Sequence, residues 1–238
     1  MDGERLTLHQ RRSMETRQAI LDAARHLFGD RGVDHTTVDD LAAEVGVSKG
    51  AVYHHFSSKE EIFRSILAEH IDEAAEVSQA LDEAASFHDL LRLMVETWFS
   101  HYQATAEFIP LSLELRLQAA RTEWARETVD AYQSWIRSLL AAIVRAGQEA
   151  NLVRADLDPT HAAAVTFGVL DGVALQWGLA PGRIDLDALA PDVLSALTAY
   201  LGVPARKEGR SAIDAVRASL EQWLASLPRS EPGRRAAN

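Results

Sequence analysis

Residues 46–56, GVSKGAVYHHF, place a serine, a lysine, a tyrosine and two histidines within one short stretch. Two kinds of chemistry fit them. Gly46-Val47-Ser48-Lys49-Gly50 matches the G-x-S-x-G nucleophile elbow, where a strand turns sharply into a long helix and exposes the serine hydroxyl to a later acid and histidine. The whole stretch also matches the turn and second helix of a DNA-binding helix-turn-helix, in which the same side chains face phosphates and base edges. A five-residue pattern is weak on its own, so the flanking elements must decide.

Those elements read as helices. Ile20, Ala23, Ala24, Leu27 and Phe28 recur at helical spacing from Met14 to Gly29, and the glycines of GDRGVDH end the helix. In TTVDDLAAEVG, Thr37 and Asp40 form a capping-box variant, Val38, Leu41, Ala42 and Val45 share a face, and Gly46 suits a left-handed terminus. A helix therefore enters Ser48, where the elbow needs a strand. Beyond it, Val52 and Phe56 face one way and Gly50, Tyr53 and His54 the other. A third pattern, through Ile62, Phe63, Ile66, Leu67, His70 and Ile71, starts after Ser57 or Ser58, either of which can cap it.

Small Ala42 and Gly46, with Val47 and Val52, let two short helices cross closely. Ser48 opens the second of them. Lys49 can reach a guanine edge or a phosphate, Gly50 removes bulk where backbone meets the groove, and Tyr53 and His54 can donate to phosphate oxygens. Lys59 adds charge beside the free N–H groups of the next helix.

Charge at first argues against nucleic acid, because the net charge is −11 over 238 residues. The acidity is uneven. Residues 1–59 hold eight Lys/Arg and nine Asp/Glu, so most of the excess belongs to the rest of the chain, where it reads as a solvated surface. Zero cysteines exclude disulfides and thiolate metal sites. No run of eighteen apolar residues occurs and the amino terminus has no signal-peptide centre, so a cytoplasmic protein without a membrane partner is expected. The nine histidines show no H-E-x-x-H spacing, and no glycine loop is built to cradle phosphate. No catalytic residue, metal or cofactor is expected, and the chain does not read as an enzyme.

Residues 16–72, with TTVDDLA, GVSKGAVYHHF and SKEEIF in order, resemble the amino-terminal domain of TetR-family transcriptional regulators. The resemblance implies an all-α homodimer with a small DNA-binding domain and a larger ligand-binding domain. It also implies repression of a DNA operator relieved by a small-molecule effector. On this chain Thr37, Lys49, Gly50, Tyr53, His54 and Lys59 match the family's DNA-contacting positions. An arm with Arg5, Arg11, Arg12 and Arg17 precedes the first helix and supplements the near-neutral domain. The alternatives are a serine hydrolase resting on GVSKG and a ligand-independent architectural DNA binder.

The body reads as further helices. Ser86 and Asp89 open one with Leu90, Leu91, Met94, Trp98 and Tyr102 inward. Alternating leucines in IPLSLELRLQAA imitate a strand, but Pro110 suits a helix start, and helix is the choice. Others run from about Glu123 to Ala150, from Asp158-Pro159 to Gly178, from near Asp187 or Pro191 to Leu201, and over residues 211–227. The expected fold is all-α: residues 1–60 a helix-turn-helix domain with its arm, 61–203 a ligand-binding and dimerisation domain, 204–227 a linker and extra helix, 228–238 a disordered tail. Gly168 and Gly172, with valines around them, point to helices 159–178 and 187–201 as the dimer interface. Ten of the sixteen Phe, Trp and Tyr lie between Phe87 and Trp177. Trp98, Tyr102 and Phe167, with polar Asp171, Gln176 and Glu114, form the expected effector pocket, suited to a small, largely apolar molecule carrying a cationic or hydrogen-bonding group.

Overall fold

The computed structural model describes residues 7–69, 83–106, 109–180, 182–204 and 210–226. Among them every regular element is a helix: α1 (Leu8–Arg31), α2 (Val38–Val45), α3 (Lys49–His55), α4 (Lys59–Glu69), α5 (Phe87–Ala104), α6 (Ile109–Ala119), α7 (Glu123–Glu149), α8 (Pro159–Leu179), α9 (Leu186–Leu201) and α10 (Arg210–Ser226). The helices fall into two compact units. One holds α1–α4, α6 and the start of α7 through Thr128; the other holds α5, the rest of α7 and α8–α10. Arg5, His70 and Ile71 of the third apolar pattern, most of the 204–210 linker and the tail from 227 lie outside the described residues.

In the first unit α1 begins earlier than its apolar periodicity suggests. Thr7 accepts from the Gln10 N–H while the Gln10 side chain accepts from the Thr7 N–H, a capping box that starts a helix through residues expected to form an arm. Arg11, Arg12 and Arg17 are therefore helical, and the Arg17 guanidinium lies 5.1 Å from the Phe56 ring centroid. The core of α1–α4 joins Ile20, Leu21, Leu27 and Phe28 of α1 to Leu41, Val52, Phe56, Ile62, Phe63 and Ile66, all buried. Phe63 stacks on Phe28 at 5.9 Å and meets Trp124 edge-on at 5.8 Å.

α6 belongs to this unit too, because Leu111, Leu115 and Gln118 are buried on one of its faces and α6 packs against α1. Gln118 is 4% exposed, and its Nε2 donates to Asp34 Oδ2 at 2.7 Å and Glu114 Oε1 at 3.2 Å. The α1–α2 loop is thus held by α6. It is held from α4 as well: Lys59 Nζ donates to the carbonyls of Val33 (2.7 Å) and Thr36 (2.8 Å). Beside the loop lies a cavity of about 340 Å³ whose walls include Asp30, Arg31, Asp34, His35, Glu114 and Arg121.

In the second unit the caps expected from sequence start their helices. Ser86 accepts from the Asp89 N–H, and Asp158 from the His161 N–H ahead of α8. Asn151, at φ 59, turns the chain out of α7, and Gly202 ends α9 in the left-handed region. α10 packs its Ile213, Val216 and Leu220 into the same core as Phe87, Leu90, Leu91, Leu139 and Ile143 of its own chain.

Candidate nucleic-acid interface

The helix-turn-helix is α2, a three-residue turn and α3. Thr37 caps α2: its hydroxyl oxygen accepts from the Asp40 N–H at 3.1 Å, and Asp40 Oδ2 accepts from the Thr37 N–H at 2.8 Å and the Thr37 hydroxyl at 2.6 Å. The Thr37 hydroxyl, then its N–H, stabilises the Asp40 carboxylate and holds its pKa below the usual value. Gly46 ends α2 at φ 75 and ψ 31, a left-handed conformation that strains residues with a Cβ. Ser48 then caps α3, its Oγ accepting from the Ala51 N–H at 3.1 Å. Its hydroxyl starts a seven-residue helix and the element before it is a helix, so a strand-to-helix elbow is not formed at Ser48.

Val52 and Phe56 pin α3 to the core, and Ser48, Lys49, Gly50, Tyr53 and His54 are left exposed, Tyr53 by 50%. A Cβ added to Gly50 would meet only Ser48 Oγ, at 3.8 Å, so the protein's own packing does not demand glycine there. Lys49 Nζ pairs with Asp39 Oδ2 of α2 at 2.9 Å, and that hydrogen bond raises the lysine's pKa. Lys59 is placed differently from the others. Two of its three ammonium donors go to loop carbonyls, leaving one for a phosphate. His55 is turned partly inward, and burial, then the neighbouring His54, pushes its pKa down.

The residues expected to hold an effector divide. In the second unit Trp98 meets Tyr102 at 5.8 Å and Phe167 edge-on at 5.9 Å, and the Tyr102 hydroxyl donates to Asp171 Oδ1 at 3.0 Å. Gln176 is exposed and donates to the Gly172 carbonyl of its own helix. Glu114 belongs to the first unit, bonded to Gln118 beside the α1–α2 loop, and is not part of the aromatic group. Sequence reading missed Asp39, Asp34 and Gln118. A carboxylate on a face meant for DNA was the available signal for Asp39; Asp34 and Gln118 meet across 84 positions and leave no local pattern.

A capped two-helix motif with an exposed polar face, followed by a helical body, defines a DNA-binding transcriptional regulator. Residues 20–66 match the family model for bacterial regulatory proteins of the tetR family, and residues 87–202 match that for the carboxyl-terminal part of BetI-type transcriptional repressors. The HTH-type transcriptional regulator TtgR of Pseudomonas putida is 30% identical over 191 residues, 73% of this chain and 85% of that one. Among solved structures, a SmeT–triclosan complex has a TM-score of 0.67 at 25% identity, covering 82% of this chain and 98% of that one. The fatty acid degradation regulator FadR of Bacillus halodurans has a TM-score of 0.64 at 25% identity, covering 81% and 97%. The chain belongs to the TetR family.

Proposed function

We propose that the protein is a dimeric repressor that binds a two-fold symmetric operator through α3 and leaves it when a small, largely apolar molecule enters the α5–α8 aromatic group. The observation that carries the effector half of this reading is the group itself: Trp98, Tyr102 and Phe167 at one place, with a carboxylate on Tyr102. Apolar walls with a few convergent polar groups are what small-molecule sites are made of. Trp98 Nε1 and Thr166 Oγ1 are also buried without a hydrogen-bond partner, and polar atoms of a ligand would satisfy them. Triclosan in the SmeT complex and the fatty-acid connection of FadR fit a ligand of this character.

The dimer half rests on α8. This helix is long and apolar enough to cross a membrane, with mean hydropathy 1.3 and only 33% of that stretch buried. Ala162, Ala163, Phe167, Leu170 and Ala174 go into the core of its unit, while Val165 and Leu179 are exposed. Cβ atoms at Gly168 and Gly172 would meet nothing within 4 Å, so another helix can approach closely there. A second copy of α8 and α9 fits that face, and two recognition helices double the DNA read.

Anisotropy with the selected operator, alongside calorimetry on a panel of aromatic and lipophilic compounds, tests the effector. A hundredfold preference for the DNA-free dimer would supply about 2.7 kcal/mol toward release. Asp171→Ala and Trp98→Ala should each weaken an active compound; an effector whose affinity neither changes sinks the pocket assignment. Light scattering that finds a monomer at micromolar concentration, bound singly to its operator, would sink the dimer.

A further inference from the structure

We propose that Asp39 is a specificity-determining residue and that the Asp39–Lys49 ion pair reads one G·C base pair as a unit. The inference rests on α3 being the recognition helix and goes beyond it, since it gives α2 a base-reading side chain and fixes the base pair read.

Asp39 adds little to the fold beyond a carboxylate in the first turn of α2 and a surface ion pair to α3. The α2 cap uses Asp40, and Asp39 is the residue beside it, with its side chain 68% exposed. Its partner Lys49 is 51% exposed, and ion pairs at such exposure add little to stability. A carboxylate on a face turned toward phosphates also repels DNA. A group that gives little stability and opposes non-specific binding has a purpose if it improves the choice among sequences.

The geometry supplies that purpose. In the major groove a G·C pair presents guanine N7 and O6 as acceptors and, beside O6, the cytosine N4 amino group as donor. O6 and N4 are bonded to each other across the pair, about 2.9 Å apart. Lys49 Nζ and Asp39 Oδ2 are also bonded, at 2.9 Å. Laid edge to edge, the ammonium donates to O6 and N7 while the carboxylate accepts from N4. Every donor then faces an acceptor, and the ion pair stays closed. Neither charge loses water without a partner, which is the condition for an ion pair to enter an interface at low penalty. An A·T pair is a poorer match: adenine N7 and its N6 amino group still meet the ammonium and the carboxylate, but the ammonium loses its second purine acceptor, and the thymine methyl crowds the one on the other base.

Operators selected by the wild-type protein from random duplexes provide the test, with wild type, Asp39→Ala and Lys49→Ala measured by fluorescence anisotropy. Each G·C pair of the half-site is altered in turn. 2-Pyrimidinone in place of cytosine removes the 4-amino group, and 7-deazaguanine removes N7. At one pair in each half-site, losing the amino group should weaken wild type about tenfold and Asp39→Ala less than twofold. At the same pair, 7-deazaguanine should weaken wild type and Asp39→Ala but not Lys49→Ala. Asp39→Ala should also bind random duplex more tightly than wild type, so its ratio of specific to random binding falls.

Wild type indifferent to every cytosine amino group, or Asp39→Ala still losing tenfold, overturns the inference. Asp39→Ala that also fails to tighten on random duplex overturns the charge argument. If Lys49→Ala loses its base preference in either event, the recognition-helix reading stands without Asp39. A wild type that selects no sequence overturns both.

Discussion

Gln118 offers a sharp test of how the DNA-binding unit is held. Its amide is buried and serves two carboxylates, one at 2.7 Å from Asp34 and one at 3.2 Å from Glu114. A hydrogen bond to a charged group contributes about 1.5–3 kcal/mol, and the longer contact contributes less. Gln118→Leu removes both. Asp34 is exposed and Glu114 half-buried, so water can take the vacated sites and the full penalty for an orphaned group does not apply. Leucine also regains apolar burial, which brings the net loss to about 1–2 kcal/mol. Gln118→Glu has nearly the same shape but sets a third carboxylate against two others. At about 4 Å and an effective dielectric near 20, each such pair is worth about 4 kcal/mol before the side chains move apart, so this variant should lose more than leucine does. Hydrogen-exchange mass spectrometry of residues 27–41 reads the effect locally, without assuming that the two units unfold together. The expected order of protection is wild type, then Gln118→Leu, then Gln118→Glu, with Gln118→Glu/Asp34→Asn recovering part of the loss because asparagine can donate to the new carboxylate. Protection in Gln118→Glu equal to or above that in Gln118→Leu would refute the bridge.

Other outcomes follow from the same unit and its neighbour. Thr37→Ala removes the α2 cap and should destabilise by about 0.5–2 kcal/mol, measured by urea unfolding. Lys49→Ala and Tyr53→Ala should each weaken operator binding by about 1–3 kcal/mol, with Tyr53→Ala lowering random-duplex binding equally; unchanged anisotropy in both would displace α3 from the DNA. Asp40, Asp89 and Asp158 all have pKa values held below 3.8, chiefly by Thr37, by the Ala85 N–H and by the His161 N–H respectively. Groups depressed by folding bind protons more readily when unfolded, so their stabilisation is complete above the unfolded value and is lost as pH falls through the folded ones. The melting temperature should drop as pH is lowered below about 3.8, and less steeply in Asp158→Asn than in wild type.

The capping signals were the most legible part of the sequence. Thr37 with Asp40, Ser86 with Asp89, and Asp158 before Pro159 each act within one helical turn, where only local geometry matters, and each starts the helix expected of it. Apolar spacing served less well where a helix has little to bury. The first turns of α1 carry Gln10, Arg11 and Arg12 with no apolar face, so they read as an arm although Thr7 and Gln10 cap a helix. Local sequence places Lys59 only at the start of its own helix, but its acceptors lie 23 and 26 residues away. Glu114 joins the expected pocket only if its helix faces inward, and the alternating leucines of that segment give no clear helical face. The burial of Leu111, Leu115 and Gln118 defines one, and Glu114 lies with Gln118 against the α1–α2 loop. The aromatic group was visible as composition, whereas its pairing of Tyr102 with Asp171 spans 69 positions.

The place of α6 bears on how such regulators are recombined. A chimera that joins this chain through Glu69 to the body of a relative would carry Asp34 without Gln118, and the faces of Phe28 and Phe63 without Trp124. The DNA-reading module, as a unit of exchange, is two stretches of chain that must travel together, residues through Glu69 and residues 109–128. Grafts that move only the first should bind DNA poorly even when every base-reading side chain is kept, and co-transfer of the second should restore them.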